Sequence, residues 1–222
     1  MFVTGTIRRA WEAIRPHMEP SLIILGAQKA GTSALYQMLK QHPHMLAPNA
    51  KELNFFNDDE AYAKGMPHYR SMFPPIPVKG SGYLTFEASP SYLYQAQVSA
   101  PRIARELPKA TCLAILRDPV KRAYSSWNMS CSFLHKPHPL GLEETRSFAQ
   151  AVEDEMAGRT VDARHKYLLR SCYAEQVKAF QDHLRPGKLM VRSYLELKRD
   201  PAGLINAICD QLGLEGIAQD SI

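Results

Sequence analysis

The chain has 222 residues, of which 45% are hydrophobic and 22% are charged, and its formal net charge is +5. This balance is typical of a soluble globular protein and excludes a disordered chain, a collagen-like repeat and a disulfide-dense miniprotein. The positive surplus favours anionic ligands, but it is too small and too scattered to indicate a nucleic-acid-binding protein.

No stretch of the sequence approaches the roughly 20 apolar residues that a membrane-spanning helix needs, so we expect no membrane span. The four cysteines are widely separated and form no CxxC pair, which argues against a zinc site. Free thiols in a reducing compartment are the simpler interpretation, and we therefore expect a cytoplasmic protein. Basic and apolar residues within 8–15 predict a short amphipathic helix that packs on the surface, with membrane or partner contact as the alternative.

Apolar runs alternate with amphipathic stretches from the start of the predicted fold. An apolar run at 22–25 predicts a strand, and apolar residues at helical spacing predict a helix over 31–40, which Pro43 ends. The next predicted elements are a strand at 83–88 and a helix at 98–107. The run T-C-L-A-I-L at 111–116 then predicts a strand that is buried on both faces.

The same alternation continues in the second half of the chain. Asp118 and Pro119 supply an N-cap and a first-turn proline for a helix that runs to about residue 130. Further elements are predicted in this order: helices at 145–157 and 165–184, a short strand at 189–191 and a closing helix at 201–212. Strands that alternate with helices imply an α/β fold with a mostly parallel, doubly wound sheet. Because no repeat or linker divides the sequence, we expect a single domain over 1–222, with 1–20 as an N-terminal appendage.

The segment G-A-Q-K-A-G-T-S at 26–33 directly follows the first predicted strand. Two glycines allow a tight turn, and the helix that follows presents its positive end to the same place. We therefore expect a P-loop-like cradle for a phosphate group, formed by Gly26, Gln28, Lys29, Ala30, Gly31, Thr32 and Ser33. A plain glycine turn is the alternative. A Walker A loop would carry lysine at position 32, where this chain has threonine, and this difference counts against an ATPase or GTPase.

Residues 26–33 resemble the 5′-phosphosulfate loop of sulfotransferases that use 3′-phosphoadenosine 5′-phosphosulfate (PAPS) as donor. The segment R-D-P-V-K-R-A-Y-S at 117–125 resembles the second part of that family's signature, which binds the 3′-phosphate. The resemblance implies that Arg117 and Ser125 bind the donor's 3′-phosphate. Arg117 would end a strand, and Ser125 would lie two turns into the next helix, on a face shared with Lys121 and Arg122.

Sulfuryl transfer resembles phosphoryl transfer, an in-line displacement in which the protein positions the reactants and stabilises charge. Lys29 is the candidate to neutralise the leaving phosphate. The segment K-E-L-N-F-F at 51–56 resembles the stretch of heparan-sulfate-type sulfotransferases that carries the proposed general base, which implies this role for Glu52. Glu87, at the end of a predicted strand, is the rival base. We expect no metal ion in the reaction.

Two positions depart from the heparan-sulfate-type pattern. Asn54 stands where some relatives have histidine, and Ala88 stands where those relatives have lysine, which suggests a different acceptor. A loop with His135 and His138 would border the acceptor. A basic stretch is predicted to be a solvated helix face or, alternatively, to attract an anionic acceptor: Arg159, Arg164, His165, Lys166 and Arg170.

The resemblance extends over residues 21–214 and implies a PAPS-dependent sulfotransferase. Its acceptor would be a hydroxyl or amine of a carbohydrate or small molecule. Relatives continue into a glycine-containing loop that helps to hold the 3′-phosphate, so we expect either a longer chain or a donor site that is completed differently. Two alternatives stay open: a P-loop kinase of a small molecule, and a degenerate relative that binds an anion or a partner without turnover. The sequence leaves the oligomeric state open as well.

Overall fold

The computed structural model describes residues 16–77, 82–135, 141–160 and 162–218. Five parallel strands form one sheet in the order β2-β3-β1-β4-β5. Their bounds are β1 Leu22–Gly26, β2 Met45–Leu46, β3 Leu84–Ala88, β4 Thr111–Leu116 and β5 Leu189–Ser193. The predicted α/β fold with a parallel, doubly wound sheet is confirmed. The amphipathic helix predicted within 8–15 lies outside the described residues.

The central strand β1 is buried along its whole length. Leu22 is paired with Phe86 of β3 on one side and with Thr111 of β4 on the other. Helices cover both faces of the sheet, so the strands require apolar side chains in both directions, and this explains the continuous apolar runs in the sequence. The carboxyl ends of β1, β3 and β4 therefore lie next to one another at one edge of the sheet.

The helices group into two sets around the sheet. Their bounds are α1 Thr32–Gln41, α2 Asp59–Ala63, α3 Gly65–Ser71, α4 Ser91–Tyr94, α5 Ala96–Glu106, α6 Pro119–Ser132, α7 Phe148–Met156, α8 Tyr173–His183, α9 Tyr194–Arg199 and α10 Pro201–Leu212. Helix α1 contacts α10, whereas α4 and α5 contact α8. The Asp118 carboxylate accepts from the Lys121 amide at 2.8 Å and caps α6, as predicted.

The single helix predicted over 165–184 is wrong. Two 3₁₀ turns at 163–165 and 169–171 come first, and helix α8 begins only at Tyr173. The physical reason is Glu155, a buried side chain at the end of α7, which accepts from the amides of Leu168 and Leu169 at 2.8 and 2.9 Å. Because these two amides donate to the carboxylate, they do not form the hydrogen bonds of a continuous α-helix. The chain therefore forms turns here instead.

The helix predicted at 145–157 begins later, at Phe148. Ser147 caps it through a capping box with Gln150, which places the start of the helix after residue 147. Strand β2 and the short helices α2, α3, α4 and α9 were not predicted, because elements of so few residues show no measurable periodicity.

The sheet and the helices share one large hydrophobic core, and a small second cluster forms around Ala123, Ala151 and Tyr167. All four cysteines are free thiols. Within the described ranges, no helix combines the length and the apolar character that crossing a bilayer requires.

Candidate active site

A cavity of about 460 Å³ lies at the edge of the sheet where β1, β3 and β4 end. Most of the predicted site residues line it, namely Gln28, Lys29, Gly31, Thr32, Ser33, Glu52, Arg117 and Ser125. The structure thus brings three distant segments of the sequence to one place. Gly26 and Ala30 do not line the cavity; both are buried and shape the loop beneath it.

The loop after β1 depends on its two glycines. Gly31 has φ +85°, and a Cβ added there would lie 2.7 Å from Cδ2 of Leu197. Gly26 has φ +148°, and a Cβ there would lie 2.9 Å from both the Leu93 Cβ and the Pro90 carbonyl oxygen. Only glycine fits both positions without displacing neighbours. The close packing of this loop against helices fixes the place from which Lys29 enters the cavity.

Lys29 is half-buried at the wall of the cavity. Its ammonium donates to the Met129 thioether sulfur at 3.4 Å, which is a weak acceptor. Burial, and then the nearby Arg117 guanidinium, lower the pKa of Lys29. An anionic group in the cavity would raise the pKa of Lys29 again, because it would pair with an ammonium that otherwise has only a weak acceptor as partner.

Arg117 joins the two predicted donor motifs. Its Nη1 donates to the Lys29 carbonyl oxygen at 2.8 Å, and its guanidinium lies 4.9 Å from the centre of the Tyr194 ring. Ser125 lies two turns into α6 and lines the same cavity. Ser126, its neighbour, donates to the Gln28 side chain at 3.3 Å. The strand end and the loop are therefore held together as one unit.

The predicted common face of α6 is wrong for Arg122. Lys121 and Ser125 do line a shared cavity next to the main one. Arg122 instead points into the protein and is fully buried, where its Nε donates to the Ser171 hydroxyl at 2.6 Å and its Nη2 to the Tyr167 carbonyl. This burial lowers the pKa of Arg122 to about 10. Arg122 therefore stabilises the turn before α8 and does not face a ligand.

Glu52 lines the cavity, and its side chain is exposed. Lys51 donates to Glu52 Oε1 at 3.1 Å and to the Ser33 hydroxyl at 2.6 Å. Lys51 thereby links the candidate base to the start of α1, a connection that the sequence analysis missed. Glu52 and Asn54 both have positive φ, +61° and +50°, so this segment is held in a conformation that few residues other than glycine adopt.

Glu87 lies beneath this segment and is fully buried. It accepts hydrogen bonds from Tyr69 at 2.6 Å, Ser89 at 3.1 Å and Tyr92 at 3.2 Å. Burial raises the pKa of Glu87 to about 7, against the opposing effect of these hydrogen bonds. Glu87 does not line the cavity, so of the two candidate bases only Glu52 lies where a substrate proton can be taken.

The Glu87 network also supports the segment that carries Glu52. The Asn54 amide donates to the Ser89 hydroxyl at 3.1 Å, and the Phe56 amide donates to the Tyr92 hydroxyl at 3.4 Å. Phe56 itself is fully buried, as expected for a core aromatic. The buried Glu87 carboxylate is thus connected to the segment that carries Glu52 through the hydroxyl groups of Ser89 and Tyr92, which accept from backbone amides of that segment.

The remaining walls of the cavity were not predicted from the sequence: Pro90, Met129, Phe133 and Leu142. Met129 follows Ser125 by four residues on α6, so helical spacing was a usable signal for it. The predicted acceptor loop at 135–139 is only partly described; His135 is exposed, and His138 lies outside the described residues. Across the described ranges, no group of three or more His, Cys, Asp or Glu side chains could hold a metal ion.

The basic stretch is not a helix face, because its residues lie in the turns between α7 and α8. Its solvation is as expected for Arg159 and Arg164, which are exposed and pair with Asp154 at 2.8 Å and with Asp162 at 2.5 Å. The Arg170 guanidinium lies 4.2 Å from the centre of the Tyr94 ring.

Comparison with known proteins finds related sulfotransferases. The chain is 31% identical over 201 residues to heparan sulfate glucosamine 3-O-sulfotransferase 3B1 of Mus musculus, which covers 90% of the chain and 48% of that relative. It is 29% identical over 200 residues to the bifunctional heparan sulfate N-deacetylase/N-sulfotransferase 1 of Mus musculus, covering 88% of the chain and 22% of that relative. The chain thus spans about half or less of the length of these curated relatives.

Solved structures show the same fold. A sulfotransferase from Alicyclobacillus acidocaldarius superposes with a TM-score of 0.72 at 28% identity, over 89% of this chain and 82% of that one. A mouse sulfotransferase complexed with PAP has a TM-score of 0.54 at 15% identity, over 96% of this chain and 64% of that one. The sequence model of the sulfotransferase domain matches residues 19–221. On this match, together with the two donor motifs, the chain belongs to the sulfotransferase domain family.

Proposed function

We propose that this chain transfers a sulfuryl group from PAPS to a hydroxyl or amine of an acceptor. The observation that carries the proposal is the contact between the two donor motifs. Arg117 donates to the Lys29 backbone at 2.8 Å, and both residues line one cavity with Glu52. A relative of the same fold that is complexed with PAP supports this choice of donor.

The donor would lie along the loop and the first two turns of α6. The amides at the start of α1, together with Thr32 and Ser33, would hold the 5′-phosphosulfate. Arg117 and Ser125 would hold the 3′-phosphate, with the guanidinium as a charged fork and the hydroxyl as a second donor. Both groups line the cavity, and Arg117 is already oriented by the Lys29 carbonyl and the Tyr194 ring.

The transfer itself is an in-line displacement at sulfur. The acceptor oxygen or nitrogen forms a bond to sulfur while the bond from sulfur to the bridging phosphate oxygen breaks, and its electron pair stays on that phosphate. The acceptor proton passes to the Glu52 carboxylate and then to solvent. Lys29 stabilises the charge that grows on the leaving phosphate. The products are the sulfated acceptor, adenosine 3′,5′-bisphosphate and a proton.

Lys29→Ala tests the donor site. We expect wild-type protein to be stabilised against heat by adenosine 3′,5′-bisphosphate more than by ATP with Mg²⁺. Transfer from ³⁵S-labelled PAPS to 2-naphthol or to an N-sulfated heparosan hexasaccharide should fall by about 10²-fold or more in the variant, since a transition-state charge loses its partner. Lys40→Ala is the matched control, because Lys40 is exposed at the far end of α1.

Each other outcome would change the conclusion. Wild-type rates in Lys29→Ala would remove Lys29 from the mechanism. Stronger stabilisation by ATP with Mg²⁺ would favour a P-loop kinase. Binding of the bisphosphate with no transfer to either acceptor would favour a degenerate relative that binds without turnover.

A further inference from the structure

The acceptor end of the cavity has a chemistry of its own, and an inference about it rests on the proposed function. We propose that the acceptor is an uncharged molecule with an apolar body and a hydroxyl group, such as a phenol or an aliphatic alcohol. This class differs from heparan sulfate, the anionic polysaccharide in the names of two curated relatives. Two features support it: an apolar part of the cavity wall and, among the described residues that line the cavity, the absence of a cation that is not assigned to the donor.

The apolar wall follows from the geometry of α6. Ser125, Met129 and the residue that follows the helix, Phe133, are spaced by four, so they form one row along the helix, with about 6 Å between successive members. All three line the cavity. The row begins at the hydroxyl assigned to the donor and passes Met129, whose sulfur is 3.4 Å from the Lys29 ammonium. It ends at an aromatic ring. The cavity therefore changes from polar to apolar along its length.

Two further apolar residues line the same cavity. Leu142 lines it from the chain that returns towards α7, and Pro90 lines it from the segment after β3. Methionine, phenylalanine and leucine side chains gain free energy when they contact apolar ligand surface, and methionine adapts its shape to the ligand. They offer no hydrogen-bond donor to a sulfate or carboxylate. Glu52 is the polar group on the acceptor side, and its task is to accept the hydroxyl proton.

The charges of the described residues also favour an uncharged acceptor. Lys29 and Arg117 are the cationic side chains that line the cavity, and the proposed function assigns both to the donor. Lys51 is engaged by Glu52 and Ser33. Among the described residues that line this cavity, none would offer an anionic acceptor a further cation beside the negatively charged donor and the Glu52 carboxylate, and such like-charge contacts are unfavourable. Lys121 lines the neighbouring cavity.

The basic stretch near α8 does not compensate for this shortage. Arg159 and Arg164 are paired with Asp154 and Asp162, and Arg170 lies over the Tyr94 ring. None of these three arginines lines the cavity. These three arginines therefore give no support to the expectation that the stretch attracts an anionic acceptor. His165 of the same stretch lies 3.4 Å from the Leu142 carbonyl, outside the residues that line the cavity.

A matched pair of acceptors tests the inference on the wild-type protein. 2-Naphthol and 6-hydroxy-2-naphthoate share the reacting hydroxyl and the ring system and differ in one negative charge at pH 7.5. An N-sulfated heparosan hexasaccharide is the third acceptor, and ³⁵S-labelled PAPS is the donor. We expect kcat/KM for 2-naphthol to exceed that for the other two by about 10-fold or more, as is usual when a pocket discriminates by apolar contact and charge.

A positive charge placed on the cavity wall should reduce this preference for the uncharged acceptor. Leu142→Lys puts an ammonium at the acceptor end, and it should reduce the preference for 2-naphthol over 6-hydroxy-2-naphthoate by about 10-fold. Leu134→Lys is the control: Leu134 is exposed, close in sequence, and does not line the cavity. An unchanged ratio in a folded Leu142→Lys protein would overturn the role of the wall. If that variant does not fold, the comparison of the three acceptors with the wild-type protein still tests the inference.

The outcomes separate the inference from the proposed function. Stabilisation by adenosine 3′,5′-bisphosphate with equal or better transfer to the naphthoate or the hexasaccharide would overturn the inference and leave sulfuryl transfer intact. Stabilisation without any transfer to 2-naphthol would also overturn it. Absence of both stabilisation and transfer would overturn the proposed donor site, and the inference with it.

Discussion

Glu52 and Glu87 show how burial separates two candidate carboxylates. Glu87 lies at the end of a predicted strand, whereas Glu52 was a candidate for the general base because of the family resemblance of residues 51–56. Glu52 is exposed in the cavity beside Lys51, whereas Glu87 is surrounded by three hydroxyl groups in the core. A group that exchanges a proton with substrate must reach it, so the geometry favours Glu52 as the proposed base.

Glu52→Gln tests this assignment at the residue scale. Removing the base should lower kcat by about 10²- to 10⁴-fold, while the affinity for adenosine 3′,5′-bisphosphate stays within about 2-fold, because the carboxylate contacts the acceptor side. Initial rates with 2-naphthol and a thermal-shift titration measure the two effects. Glu60→Gln, on the exposed first turn of α2, is the matched control. Full activity in Glu52→Gln together with loss in Glu87→Gln would move the base to Glu87.

The loop between β1 and α1 is an element whose shape depends on contacts as much as on glycine. Gly31 has φ +85° and Gly158 has φ +71°, so alanine is strained at both. The two sites differ in their surroundings: a Cβ at Gly31 would lie 2.7 Å from the Leu197 Cδ2, whereas a Cβ at Gly158 meets nothing within 4 Å. The pair therefore separates backbone strain from overpacking.

We expect Gly158→Ala to lower the free energy of unfolding by about 1 kcal/mol from the left-handed backbone alone. Gly31→Ala should lose about 1 to 3 kcal/mol more, because the loop or α9 must move. Urea denaturation measures both, and a thermal-shift titration with adenosine 3′,5′-bisphosphate should show weakened binding only for Gly31→Ala. Equal stability losses in the two variants would mean that the contact with Leu197 does not constrain the loop.

The turn before α8 shows why one element was predicted wrongly. Residues 165–184 have helical character in the sequence, but Glu155 takes two amides of the turn, and Arg122 donates to the Tyr167 carbonyl. Such competing hydrogen bonds come from side chains that are distant in the sequence. Local periodicity therefore had no information about them.

At the scale of the whole molecule, one buried carboxylate makes stability depend on pH. Burial raises the pKa of Glu87 from 4.5 to about 7. The groups that face it are the hydroxyls of Tyr69, Ser89 and Tyr92 and the Cys112 thiol. Between pH 4.5 and about 7 the folded protein holds a proton that the unfolded chain has released. The free energy of unfolding should therefore fall as pH rises through this window and then level off.

Glu87→Gln should remove this contribution. The difference in unfolding free energy between wild type and variant should change by an amount on the order of 2 to 3 kcal/mol between pH 4.5 and 7.5. Urea denaturation at several pH values measures it, and Glu60→Gln again serves as control because its carboxyl is exposed. Parallel pH profiles for wild type and Glu87→Gln would show that the carboxyl does not titrate in this range.

The sequence by itself determined the parallel α/β architecture and the two donor motifs. Apolar runs, proline and glycine positions and N-caps act locally, so the strands at 22–26 and 111–116 and the helix over 201–212 were predictable within a residue. The loop at 26–33 and the segment at 117–125 were recognisable for the same reason. The family resemblance that they carry is confirmed by the domain match over residues 19–221. The roles of the individual residues and the cytoplasmic location stay predictions.

Only the tertiary structure decided which side chains share the cavity. The inward turn of Arg122, the buried position of Glu87 and the apolar wall of Phe133 and Leu142 all depend on contacts between segments that are far apart in the chain. Burial and desolvation are properties of the packed molecule, and a one-dimensional pattern does not contain them. That is why the sequence indicated the proposed donor, and the fold was needed before a class of acceptor could be proposed.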